Sequence, residues 1–208
     1  MNVSLIPYIV LILMGAAWGL SIPLTKITVS RGYGQFGLIF WQFVIAVIVL
    51  GFMLLVRRKR PIFERKTIFL FIVLALLGTI FPNSASYVAT YYLPASFIPI
   101  LIATVPMFSF PMAMLMGLEK KDLRRISGLF IGLLGVVILT APAASFPDRH
   151  LLIFIPLALL APFFYAIEGN YVDKYGTAGQ DPIQTFTGAS ILGTFMILAV
   201  TISTGQWI

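Results

Sequence analysis

The sequence predicts an all-α protein that crosses a membrane several times, and three observations carry that expectation. First, 60% of the 208 residues are hydrophobic and 10% are charged, where an average soluble domain is about a quarter charged. A water-soluble chain of this length could not hide so much apolar surface, because exposed area falls too slowly with size. Second, no Asp, Glu, Lys, Arg or His occurs from Thr67 through Leu118. That gap is too long for one crossing of about 20 residues and suits two joined by a tight turn. Third, the positive residues behind the net charge of +7 gather in "RRKRPIFERK" and "EKKDLRR", beside apolar runs. Such clusters set membrane orientation, so the charge is not a nucleic-acid footprint.

Seven crossings follow in order. The first covers Leu5 to Ile27; it lacks a basic leading region and is followed by more spans, unlike a removable signal peptide. The second covers Phe36 to Val56 and stops at the first basic cluster. The third, Ile68 to Tyr91, turns at "LPAS" into the fourth, Ser96 to Leu118. The fifth covers Ile126 to Leu139, the sixth Leu151 to Val172 and the seventh Thr185 to Ile202. These runs must be helices, because lipid supplies no backbone partners and barrel strands are shorter and alternate in polarity.

Basic residues orient the chain. Arg57, Arg58, Lys59, Arg60, Arg65 and Lys66 lie between spans two and three, and Lys120, Lys121, Arg124 and Arg125 between four and five. Both loops should be cytoplasmic. Lys174 returns to that side, while Lys26, Arg31 and Arg149 lie opposite. The amino terminus is then cytoplasmic, and an odd number of spans leaves the last residues outside. The absence of cysteine excludes disulfides and thiolate metal sites.

An internal similarity links the two halves. "GAAWGLSIPLTK" in span one can be laid on "APFFYAIEGNYVDK" in span six, with Trp18 over Tyr165 and Ser21 over Glu168; beyond a short gap "GQFGLIFWQF" lies over "GQDPIQTFTG". Span six comes five crossings after span one, so the two copies would run in opposite directions, as in an inverted repeat.

The segments "AAWGLSIPLTKI", "FWQF" and "YYLPASFIPILIATVPMFSFPMAMLMGLEKKDLRRISGLFIGLLGVVIL" resemble the first half of an EamA-type carrier of the drug/metabolite transporter superfamily. The matching features are Trp18-Gly19, Ala95-Ser96 after Pro94, Pro106, Gly117-Leu118-Glu119, and Gly128, Gly132 and Gly135 along span five. Gln42 departs from a pattern that often has Arg-Phe there. The resemblance implies ten helices in a 5+5 inverted repeat with a substrate cavity between the halves. Residues 1–143 would be the first repeat and 144–208 the start of the second, with three helices expected beyond Ile208.

Candidate site residues are the polar and amphipathic groups inside spans. Glu168 is costly in lipid and should face a cavity or a partner; it could also reach interfacial water, and a narrower reading gives it proton coupling. Gly169 would permit close helix approach, and Asn170 beside it would meet substrate or a neighbouring helix. Asn83, Ser86 and Tyr87 share one face of span three by their spacing and suit either a hydrated passage or helix–helix bonding, with Pro82 freeing a carbonyl in the preceding turn. Trp18, Trp41, Ser21, Gln42 and Tyr165 complete the set. Ser21 with Pro23, and Pro106 with Pro111, suggest locally broken helices, and Lys26 is expected to snorkel outward. Glu119 should pair with a loop cation, and Gly128 with Gly132 suits helix packing.

The leading expectation is a secondary transporter of small polar metabolites, an amino-acid or related exporter in the inner membrane working by alternating access, needing no cofactor and with the bilayer as its surroundings. No GxxxxGK[ST] or HExxH stretch occurs, and the only histidine is His150 in a loop, so an intramembrane enzyme is poorly supported. A non-transporting membrane scaffold or assembly subunit is the other alternative. Solute, coupling ion, direction and oligomeric state are not legible.

Overall fold

The computed structural model describes residues 5–140 and 149–207; the expected boundary between repeats at residue 143 lies outside them. Nine α-helical segments are present among the described residues: α1 (Ile6–Ser30), α2 (Gln35–Val56), α3 (Arg65–Ala75), α4 (Phe81–Tyr92), α5 (Phe97–Ile102), α6 (Val105–Leu115), α7 (Leu123–Thr140), α8 (Ile155–Tyr175) and α9 (Pro182–Thr204). A π-helical turn at Leu76–Ile80 joins α3 to α4 without a break, and a 3-10 turn at Arg149–Phe154 leads into α8. The segments amount to seven rods placed where the hydropathy pattern puts them.

Six of these runs are long and apolar enough to cross a bilayer, against the seven expected. The run outside the six is α7. Arg124 and Arg125 occupy its first turn, and the described part of the chain stops at its last residue, Thr140.

Proline acts differently from expectation at Pro23 and Pro111, each inside a continuous helix, whereas the fourth rod is interrupted beside Pro106 as expected. α1 continues through Pro23 rather than breaking. In the fourth rod the interruption falls at Ala103–Thr104, so Pro106 starts α6, where its missing N–H has no helical partner to lose. Pro82 behaves as the sequence suggests. It cannot donate to the carbonyl of Gly78 four residues back, and the turn containing Gly78 is the one wound as a π-helix.

Three apolar clusters hold the rods. Ile39, Phe43, Ala75, Ile80 and Ile197 join α2, the third rod and α9. Leu70, Phe71, Leu74 and Ala189 join α3 to α9, and Ala89, Leu93, Ile98, Leu101 and Ala158 join α4, α5 and α8. Glycines let α9 come close: a Cβ on Gly193 would lie 2.5 Å from Phe43 Cζ, and one on Gly188 would fall on the Phe71 ring. Apolar side chains such as Ile6, Leu11 and Ile131, each about 70% exposed, cover the outside. An apolar exterior of this extent is suited to lipid contact.

Polar ties lie at the rod ends. At the end rich in Lys and Arg, the basic end, Lys59 donates to Asp181 at 2.9 Å and Arg57 pairs with the same carboxylate at 3.5 Å. Asp181 also caps α9 through the Gln184 backbone N–H. Gln180 accepts from the Ile62 N–H at 2.9 Å and Gln184 donates to the Arg60 carbonyl at 2.7 Å. Glu119 pairs with Arg125 at 2.7 Å, as expected. At the opposite end Lys26 does not simply snorkel. Its ammonium donates to the carbonyls of Thr90, Tyr91 and Leu93 at 2.7, 2.8 and 3.0 Å, closing the C-terminus of α4 with a cation. Lys174 does the same for α6 through the Met116 carbonyl at 2.9 Å.

Two outcomes follow from this packing. Gly193→Ala should lower stability by about 1–3 kcal/mol through overpacking, read from thermal unfolding in detergent. Gly15→Ala, where a Cβ meets nothing within 4 Å, should not. Separately, the Lys59 hydrogen bond, then that of the Gln184 N–H, hold the Asp181 carboxyl below the usual range. A lowered folded pKa means the tie stabilises fully above the ordinary Asp value of about 3.9 and is lost as pH falls through the folded value. Hydrogen exchange in residues 57–62 should therefore rise on acidification below that range, and Asp181→Asn should remove the pH response.

Candidate functional site

The polar residues inside the rods collect around one cavity of about 690 Å³. α1 contributes Trp18, Ser21, Thr25 and Thr28, which repeat at spacings of three and four and so lie on one face. α2 contributes Trp41 and Gln42, α4 contributes Asn83, Ser86, Tyr87 and Thr90, and α8 contributes Tyr165, while Ile98 and Ile102 of α5 add apolar wall. The cavity draws on rods one to four together with the sixth.

A hydrogen-bonded chain runs through its wall. Asn83 Nδ2 donates to Gln42 Oε1 at 2.9 Å, and the Tyr87 hydroxyl donates to the same oxygen at 3.3 Å. The Tyr165 hydroxyl donates to Asn83 Oδ1 at 3.3 Å. α2, α4 and α8 are thereby joined through neutral groups. Since the Gln42 carbonyl accepts both bonds, its NH₂ keeps two donors for another partner. Ser21 and Thr28 instead donate back to their own helix, to the Trp18 carbonyl at 2.6 Å and the Leu24 carbonyl at 2.9 Å. No charged side chain lines the cavity, and among the described residues no cluster of His, Asp or Glu could hold a metal ion.

Of the expected residues, Trp18, Ser21, Trp41, Gln42, Asn83, Ser86, Tyr87 and Tyr165 come together here. Asn170 and Glu168 do not line this cavity. Asn170 is buried, and its Nδ2 donates to the Ser109 carbonyl and hydroxyl at 3.0 Å and to the Ala166 carbonyl at 2.8 Å. It bonds helix to helix, as buried amides in membranes do. Glu168 lies one turn beyond Tyr165 toward the basic end, against the π turn. A Cβ on Gly78 would lie 2.8 Å from the Glu168 carboxyl carbon. Among the described residues the carboxyl makes no hydrogen bond or ion pair.

Thr25, Thr28 and Thr90 line the cavity without having been anticipated. The signal for the first two was present: they continue the face set by Trp18 and Ser21. Thr90 continues the face of Asn83, Ser86 and Tyr87 in the same way. Leu38, Ile98 and Ile102 carry no such signal, since an apolar residue in an apolar helix reveals nothing about which way it faces.

The Tyr165 bond is long and neutral, so Tyr165→Phe should cost about 0.5–1.5 kcal/mol and leave the protein folded. Asn83→Leu should cost more, because it leaves both Gln42 Oε1 and the Tyr165 hydroxyl short of a partner. Thermal unfolding of the two variants in one detergent checks the order.

Comparison with known proteins places the chain. No curated protein and no solved structure matches it. The sequence model of the EamA-like transporter family matches residues 5–141, a range that holds α1 to α7 and every cavity residue named above except Tyr165. The chain is a multi-pass membrane protein and belongs to the EamA-like transporter family, within the drug/metabolite transporter superfamily.

Proposed function

We propose that the protein is a secondary carrier of small polar metabolites, an exporter of amino acids or related compounds, that works by alternating access. The observation that carries this reading is the neutral, hydrogen-bonded cavity wall of Gln42, Asn83, Tyr87 and Tyr165. Amide and hydroxyl groups match a polar solute without imposing a net charge, and the indoles of Trp18 and Trp41 offer faces for its apolar or cationic part. Members of the matching family are transporters.

In this reading residues 1–143 form one repeat and 144–208 begin an inverted second one within a ten-helix carrier. The direction of the rods supports it. α8 runs antiparallel to α4, with the Phe164 ring 5.3 Å from that of Phe81 and the Phe154 ring stacked 3.8 Å from that of Tyr92. α1 runs alongside α4, its Lys26 meeting the C-terminus of that helix. α1 and α8 therefore point opposite ways, as the overlay of Trp18 on Tyr165 requires. Rocking of one repeat on the other would break and remake the Tyr165–Asn83 bond, a weak contact suited to repeated exchange. By the positive-inside rule the basic loops support a cytoplasmic amino terminus, and the carrier is read as one of a bacterial-type inner membrane.

Reconstituted into liposomes, the protein should move at least one member of a panel of labelled amino acids and related polar metabolites. Gln42→Leu should lower the rate per folded molecule about tenfold, equivalent to roughly 1.4 kcal/mol of solute binding, alongside some loss of stability because Asn83 and Tyr87 lose their shared acceptor. No movement of any panel member, or full activity in Gln42→Leu, would count against this function.

A further inference from the structure

A second hollow lies on the seam between the third rod and α8, nearer the basic end. It is a groove of about 870 Å³ walled by Phe69, Ile72, Tyr171 and Tyr175, with Arg65 and Lys66 at its mouth. The Tyr171 ring lies 6.3 Å from Phe69 and 4.8 Å from Tyr175. Among the described residues neither Arg65 nor Lys66 pairs with a carboxylate. The groove is thus apolar in depth and cationic at its opening.

The groove and the polar cavity share one line of residues. Tyr165, Glu168, Tyr171 and Tyr175 follow each other along α8 at spacings of three, three and four, and so form one continuous stripe. Tyr165 belongs to the cavity, and Tyr171 and Tyr175 belong to the groove. Between them, over about 9 Å of helix, stands Glu168 against Gly78. A Cβ at position 78 would push the carboxyl aside.

We propose that the groove is the second mouth of the solute path, and that the Glu168–Gly78 contact is the barrier separating it from the polar cavity. The inference rests on the carrier reading and adds the side of the path that the cavity leaves unassigned. Two features suit this contact to opening and closing. The π turn at Leu76–Ile80 is a local fault in the rod, of the kind found at functional positions. The carboxyl has no hydrogen-bond partner in the closed seam and gains hydration whenever the seam parts, which brings the two arrangements closer in free energy. Arg65 and Lys66 would draw solutes bearing an anionic group toward this mouth.

The chain holds no cysteine, so single cysteines can report water access. In vesicles, with sidedness fixed by a cysteine at Lys120, Ile72→Cys should react with a membrane-impermeant thiol reagent supplied from the basic end and not from the other side. Adding Glu168→Ala should raise its reaction with reagent from the other side several-fold. Gly78→Ala should do the same without removing the acid, because its methyl displaces the carboxyl. Failure of Ile72→Cys to react from the basic end, as in a groove filled by lipid tails, overturns the second mouth. Reaction from the other side unchanged in both barrier variants overturns the barrier. Neither readout uses a solute, so a failed transport assay bears on the carrier reading alone.

Discussion

Inside a bilayer every polar group must find a partner in the protein or in trapped water, and the arrangement of this chain turns on how its polar groups meet that demand. Most turn inward on the nearest backbone. Thr187, Thr194 and Thr201 donate to carbonyls four residues earlier in α9, a local solution that needs no neighbour. Asn170 is satisfied by α6 and by its own helix. Gln42, Asn83, Tyr87 and Tyr165 instead satisfy one another across three helices and leave donors over. That difference separates groups that hold the bundle together from groups available to a solute.

The charged residues work at the margins of the same scheme. Lys26 and Lys174 close helix C-termini at opposite ends of the bundle, each meeting carbonyls that the helix itself leaves without partners. Asp181 gathers Lys59 and Arg57 so that the start of α9 is tied to the loop after α2. The ends are fastened by charge-assisted bonds while the centre is joined by neutral ones, at 2.9 Å for Asn83–Gln42 and 3.3 Å for the two tyrosines. Glu168 stands outside this pattern, and it sits where the third rod is wound as a π-helix.

Much of the fold was legible because hydropathy reports directly on what lipid will tolerate. The rods, the turn at Pro94 and the basic ends all follow from it. Counting crossings was less secure, since Arg124 and Arg125 stand in the first turn of α7, and charge at a helix end blurs where a span begins. Most of the polar and aromatic cavity residues could be named because a polar side chain in an apolar helix needs a reason. The same logic could not tell Asn170 from Asn83, because an amide that bonds a neighbouring helix and one that faces a solute look alike in one dimension. Pro23 misled for a related reason: a proline removes a donor, but packing decides whether the helix bends. The pairing of Lys26 with the end of α4 depends on residues more than sixty positions apart, which no local pattern encodes.

The most direct measurement is the water accessibility of Ser86→Cys, on the cavity face of α4, in the cysteine-free protein. A hydrated cavity predicts rapid reaction with an impermeant thiol reagent supplied from the side opposite the basic loops, slowed when a transported solute is present. A cysteine unreactive from both sides would mean that these polar groups only bind helix to helix, and the account of the site would be wrong.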